Sequence, residues 1–206
     1  MSTNEISLQR IGISLKSQLS ILGAFVAIFW GLEAIDWVLG GFLDGFGVIP
    51  RTAVGLRGIV FGPFLHGGFG HLMANTVPFL VLGWFVLLAN VRTFMNVTVI
   101  TAVISGLGIW LIAPSNSVHI GASGLIFGYF GFLLLRGYFE RSFSSIAWSL
   151  LVAVFYGGLI WGVLPQEVGI SWQAHLFGFI GGGLAAYWLT DLKKEQELRD
   201  SIVVHE

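Results

Sequence analysis

The sequence predicts an all-α membrane protein with six transmembrane helices, and three observations predict it. Of the 206 residues 55% are hydrophobic and only 10% charged, with a mean hydropathy of +0.85, whereas soluble domains carry about 25% charge. No charged residue interrupts Gly58–Val91, Thr93–Leu135, Ser142–Gln166 or Val168–Thr190, and a helix needs about 20 apolar residues to cross the hydrocarbon. Within these runs the apolar residues are continuous, without the period-2 alternation of membrane β-strands. The same composition excludes a disordered chain. A net charge of −1 supplies no basic face for nucleic acid. With no cysteine, disulfides, thiolate metal sites and cysteine nucleophiles are excluded.

Six spans follow in order: 19–42, 70–90, 94–113, 121–137, 145–164 and 171–190. The first is read as a retained anchor, because Met1–Ser20 lacks the charged, apolar, small-residue order of a removable signal. Turn-rich breaks separate the later ones: Asn90–Arg92, Ala113–Ser117, Arg136–Ser145 and Leu164–Glu167. With the N-terminus in the cytoplasm, the inner segments carry Arg10, Lys16, Arg92, Arg136, Arg141, Lys193, Lys194 and Arg199, and the outer ones only Arg51 and Arg57. This bias places both termini inside. The expected organisation is a cytoplasmic N-terminal segment (1–18), one membrane domain (19–190) and a polar cytoplasmic tail (191–206), frayed but helical. With no internal repeat, an inverted-repeat transporter finds no support.

Polar residues at membrane depth carry the functional information. The threading brings His71 and Asn75 of span two, Ser123 of span four and His175 of span six to the outer leaflet together. Gly121-Ala122-Ser123-Gly124 alone is a weak signal, equally readable as a small-residue helix contact, but the irregular segment ahead of it must line protein or water. A serine hydroxyl must come within about 2.6–3.2 Å of an imidazole nitrogen to give up its proton. Two short side chains therefore need closely packed helices. Gly124 with Gly128, and Gly178 with Gly182, are Gly-xxx-Gly pairs of the kind that allow this. His71 and Asn75 share a helical face at i and i+4. With the Ser123 N–H they can donate to an oxyanion. A metal site built from His66, His71, His119 and His175 would lack any carboxylate, so no metal and no cofactor is expected.

Together these motifs resemble the rhomboid family of intramembrane serine proteases, over about His66–Asp191. His66, His71 and Asn75 match the family's H-x4-H-x3-N element, Gly121–Gly124 its G-x-S-G, and Ala174-His175 with Gly178 and Gly182 its A-H-x2-G-x3-G. The resemblance implies a six-helix rhomboid-like bundle with Ser123 as nucleophile and His175 as general base, a dyad without a carboxylate. It implies His71 and Asn75 as oxyanion donors and His66 as a polar loop or water-network residue. Phe127 stands where the family often has a tyrosine stacked on the histidine, so the ring is expected to orient the imidazole.

The first outer loop lacks the Trp-Arg pair of many members, which leaves its anchoring open. Glu33 and Asp36, in the outer half of span one, are expected to pair with Arg51 or Arg57 or to lie exposed at the interface, a proton relay being the alternative. The implied activity is hydrolysis of peptide bonds in or near transmembrane segments of single-span or other membrane proteins. The substrate segment would arrive from the lipid near spans two and five, with Pro165–Trp172 as a lid. The default location is a prokaryotic plasma membrane, with the active site open to the outside. Rival readings are a catalytically inactive rhomboid-like chaperone or binding protein, and a channel, for which the inner halves of the spans show little polar path.

Overall fold

A computed structural model describes residues 14–165 and 169–203, with no side-chain detail at 193 or beyond 195. Among the described residues the fold is all-helical. Its α-helices are α1 (Leu15–Val38), the single-turn α2 (Gly58–Phe61), α3 (Phe69–Leu87), α4 (Val91–Ile112), α5 (Ser123–Glu140), α6 (Phe143–Tyr156) and α7 (Trp172–Val203). The one β-type pairing is an isolated bridge between Val48 and His119.

Three helices differ most from the spans read in the sequence; the ends of the others lie within three residues of the expected ones. α1 starts and stops four residues early: the Ser14 side chain caps it by accepting from the Ser17 N–H at 3.2 Å, and Gly40 and Gly41 turn the chain away at φ +66° and +84°. α6 gives way at Gly157-Gly158 to a 3₁₀ stretch, Gly157–Val163. α7 runs unbroken through the expected end of span six and into the tail, to Val203; residues 204–206 and 1–13 lie outside the described residues.

Among the described residues four segments are long and apolar enough to cross a membrane: Leu15–Val38, Phe69–Leu87, Val91–Ile112 and Phe143–Val163. The two others expected to span, α5 and α7, are diluted by glycine and polar residues, and the packing explains why. α5 is the centre of the bundle, buried on nearly every side from Gly124 to Leu133. A helix surrounded by protein needs small residues for close contact more than it needs apolar bulk for lipid. The outer helices show the converse: Trp37, Val38, Leu150, Val154 and Phe155 are all largely exposed. An apolar girdle of this extent belongs against lipid rather than water.

α5 packs most extensively on α7, through a seam the glycines create. A Cβ on Gly178 would run into the carbonyl oxygen of Gly124, and one on Gly182 into that of Gly128. The two Gly-xxx-Gly pairs thus meet each other register for register. α4 closes the other side of α5: Ser105 and Thr101 lie against Gly124 and Gly128, and Ser105 Oγ donates to the Ala174 carbonyl at 3.0 Å. Beneath the seam, the buried Tyr129 hydroxyl pairs with Thr98 Oγ1 at 2.9 Å. Phe25, Phe29, Phe79 and Phe94 pack around it to hold α1 and α3 to the core.

The loop between α1 and α3 is anchored to α4 and the segment after it by hydrogen bonds of backbone groups, joined by the Arg51 and Trp110 side chains. Val48 and His119 exchange both N–H···O bonds (2.9 and 3.0 Å), and Arg51 N–H donates to the Trp110 carbonyl at 3.0 Å. Trp110 Nε1 returns a bond to the Thr52 carbonyl at 2.8 Å. The expected pairing of Glu33 and Asp36 with the loop arginines, or their exposure, is overturned. Arg51 is engaged with the Leu111 carbonyl and Ser115. Arg57 donates to the Gly45 carbonyl and stacks over Phe46. Both carboxylates are buried, each 5% exposed. Asp36 accepts from the Leu43 N–H at 2.6 Å, closing the turn that ends α1.

Alanine at Gly178 or Gly182 should lower detergent-solubilised stability by about 1–3 kcal/mol or more, as overpacking against rigid backbone does. Gly31→Ala, where nothing lies within 4 Å of the new methyl, should be neutral or slightly stabilising; thermal unfolding of the three variants checks this.

Candidate active site

Each motif supplies one wall of a cavity of about 580 Å³ that opens between the N-terminal ends of α3, α5 and α7. His71 and Asn75 line it from α3, Ser123 and Phe127 from α5, and His175 from α7. These ends come together because the Gly124–Gly178 contact lies one residue beyond Ser123 and three beyond His175.

Ser123 is the first residue of α5. Gly121 makes the turn into the helix at φ +118°, a conformation that favours glycine. Two bonds hold this turn: Gly121 N–H to the Gly62 carbonyl at 2.9 Å, and Ala122 N–H to His66 Nε2 at 3.4 Å. The N–H of Ser123 belongs to the first turn, where no intrahelical acceptor exists. His66 lies in the loop that precedes α3; it is 1% exposed and packed against the rings of Phe29 and His71. It holds the backbone ahead of Ser123.

His175 is 9% exposed and its tautomer is decided by its surroundings. Its Nδ1 lies 2.9 Å from the Gly162 carbonyl oxygen. A carbonyl can only accept, so Nδ1 carries the proton and Nε2 keeps a free lone pair. The ring lies flat on Phe127, centroids 4.0 Å apart and planes 5° from parallel. Sequence reasoning found the stacking ring but missed Gly162. A backbone acceptor has no side-chain signature, although the glycine itself is required: a Cβ there would meet the Phe127 ring at 2.6 Å.

On α3, the Gly67 N–H points at His71 Nδ1 at 3.4 Å, which puts the ring proton on Nε2. One amide hydrogen of Asn75 goes to the His71 carbonyl at 3.0 Å, leaving the other unassigned. Both donors converge on the turn ahead of Ser123: a Cβ at Gly121 would stand 2.9 Å from His71 Nε2 and 3.9 Å from Asn75 Nδ2. Ser123 Oγ makes no hydrogen bond among the described residues.

His119, considered above only as a metal ligand, bonds Ser117 and Ser171. Among the described residues no three of His, Asp and Glu are grouped to hold a metal ion. Of the expected lid, Gly169, Ile170 and Ser171 line the cavity; residues 166–168 lie outside the described residues.

A polytopic helical membrane protein whose polar cavity is built at one end of a glycine seam is the class this arrangement defines. A rhomboid-domain family model matches residues 53–191, and the chain belongs to the rhomboid family. An uncharacterized protein of Mycobacterium tuberculosis is 45% identical over 174 residues, covering 81% of this chain and 72% of that protein. A second uncharacterized protein, from Mycobacterium leprae, is 42% identical over 175 residues, covering 81% and 69%. A Bacillus subtilis protein, named as a putative rhomboid protease, is 33% identical over 135 residues, covering 64% and 66%.

Burial pushes His66 down to about 4, with the neighbouring His71 adding to the effect, and burial lowers His119 as well. Both take up a proton more readily unfolded than folded, so they withdraw stability as pH falls from about 6.5 toward 4. Asp44 in the loop between α1 and α3 is raised to about 6, by its own burial and then by Asp36 and Glu33. Its contribution has the opposite sign, present at low pH and lost as pH rises through about 6. The thermal midpoint should therefore fall between about pH 7 and pH 5. Asp44→Asn should steepen that fall and His66→Gln should flatten it, as read by thermal scans across pH.

Proposed function

We propose that this chain is an intramembrane serine endopeptidase that hydrolyses peptide bonds in or near transmembrane segments of membrane proteins, single-span substrates included. In this reading six helices cross a bilayer, both termini are cytoplasmic, the active site faces outward, and the membrane is a prokaryotic plasma membrane. The observation that carries it is the free Nε2 of His175 in the cavity Ser123 lines, with Nδ1–H held by the Gly162 carbonyl. A neutral imidazole in that tautomer is a base aimed at its cavity. The acceptor that an Asp provides in a triad is here a backbone oxygen.

The substrate segment comes from the lipid between α3 and α6 and unwinds locally, since a helical carbonyl is already bonded. His175 Nε2 takes the proton of Ser123 Oγ as the oxygen attacks the scissile carbonyl carbon. Negative charge on the carbonyl oxygen is met by His71 Nε2–H, the second Asn75 amide hydrogen and the Ser123 N–H. The imidazolium passes its proton to the leaving amine, giving an acyl-enzyme. Water from the outer side, deprotonated by His175, then releases the acid. No cofactor takes part.

The second reading is an inactive rhomboid relative serving as a chaperone or binding protein. The observation in its favour is the unbonded Ser123 hydroxyl. Catalytic hydrogen bonds are commonly long without substrate, and an inactive protein would have no use for an oriented free Nε2.

A fluorophosphonate probe should label the wild-type protein and leave Ser123→Ala unlabelled, with His175→Ala reduced about 10²–10⁴-fold. Labelling that survives Ser123→Ala refutes the reading. On a panel of single-span substrates, Asn75→Ala should lower kcat about 10²–10³-fold with the fold intact, as loss of one oxyanion donor does.

A further inference from the structure

We infer that His119 is a positioning residue for the proposed reaction: it ties the segment ahead of Ser123 to the segment ahead of His175 and sets the spacing of those two groups. The inference rests on the protease reading above. The ring of His119 stands between two serines, Nε2 at 2.8 Å from Ser117 Oγ and Nδ1 at 2.7 Å from Ser171 Oγ. The surrounding bonds assign every proton. Ser117 Oγ donates its one hydrogen to the Pro114 carbonyl at 2.5 Å, so toward His119 it accepts, and Nε2 carries the ring proton. Nδ1 of the neutral ring is then an acceptor, and the Ser171 hydroxyl donates to it. Ser171 Oγ in turn accepts from the Ala174 N–H at 3.3 Å. One directed chain of four hydrogen bonds thus runs from the backbone at Ala174 to the backbone at Pro114.

The ends of this link matter because of where they stand. Ser123 follows His119 by four residues and His175 follows Ser171 by four; the His175 N–H also donates to the Ser171 carbonyl at 3.3 Å. The glycine seam sets the separation of α5 and α7 from Gly124 and Gly178 inward. It leaves the two helix entrances, which lie beyond its first contact, to be tied separately. The Val48–His119 backbone pair holds His119 against the loop between α1 and α3 at the same time. The ring is therefore anchored on one side while it holds Ser171 on the other. His119 lines the same cavity as Ser123 and His175, and its ring is hydrogen-bonded to Ser117 and Ser171 rather than to either of them. Its effect is exerted through Ser171.

The test uses the full chain in detergent. In the wild type, ¹⁵N spectra of labelled histidine should show opposite tautomers, the proton on Nε2 in His119 and on Nδ1 in His175. His119→Ala should lower kcat on a transmembrane substrate, and the fluorophosphonate labelling rate, about 10- to 100-fold, the scale of a misplacement near 1 Å. KM should stay within about twofold, since substrate binding is left intact. His119→Asn, whose Oδ1 falls near the Nδ1 position, keeps an acceptor for Ser171 and should recover most of the loss. His119→Gln, which places its amide near Nε2, should not. Equal losses in the Asn and Gln variants, kcat within about twofold of wild type in His119→Ala, or a His119 protonated on Nδ1 would each overturn the inference. A wild-type protein that is not labelled at Ser123 would sink the protease reading itself, while the tautomer spectra would still decide whether the hydrogen-bond chain exists.

Discussion

Two carbonyl oxygens, those of Gly124 and Gly128, occupy the space that side chains at Gly178 and Gly182 would need. This backbone-to-backbone contact between α5 and α7 is the constraint on which the rest of the molecule depends. In lipid there is no hydrophobic force between helices, so close van der Waals packing has to hold them. The seam does so where the functional groups need it, at the ends from which Ser123 and His175 project. It also explains the composition of α5 and α7. Both give up apolar bulk for glycine where they meet each other and α4, while α1 and α6 are among the helices that expose large apolar side chains.

A second constraint is the treatment of polar groups at membrane depth. Each histidine of the cavity is oriented by a neighbour from the irregular segments: Gly162 for His175, Gly67 for His71, and Ser117 with Ser171 for His119; the buried His66 beside them meets the Ala122 N–H. Unpaired polar groups are expensive where water is scarce, so the loops act here as hydrogen-bonding partners to the helices. The consequence for chemistry is that imidazole tautomers are decided by backbone and hydroxyl atoms, with no carboxylate among the described residues that line the cavity. The buried carboxylates Glu33 and Asp36 lie instead toward the C-terminal end of α1, where Asp36 closes a turn.

The loop between α1 and α3 joins these two themes. Its tight approach, in which a Cβ at Gly58 would collide with the backbone at Gly47 and Val48, makes it a packed part of the scaffold. Through the Val48–His119 pair it supports the segment that leads into Ser123. In this family member, that loop and the two serines around His119 together set how the polar ends of α5 and α7 are presented to the cavity.

The helical class, the positions of the long helices to within a few residues, the small-residue seam and the shared level of His71, Asn75, Ser123, Phe127 and His175 were all legible in the amino-acid order. Periodicity, charge-free length and glycine spacing are properties of the chain itself. The sequence left undecided the break of α6 at Gly157-Gly158, the burial of Glu33 and Asp36, and the partners of Arg51 and Arg57. It also left open the burial of His66 against Phe29, the acceptor at Gly162 and the tie from His119 to Ser171. Apart from the local break of α6, most of these join residues from different segments, many through a carbonyl or N–H that every residue possesses. Side-chain types declare in sequence which chemistry is available, whereas backbone partners acquire an identity only when the fold brings them within hydrogen-bonding distance.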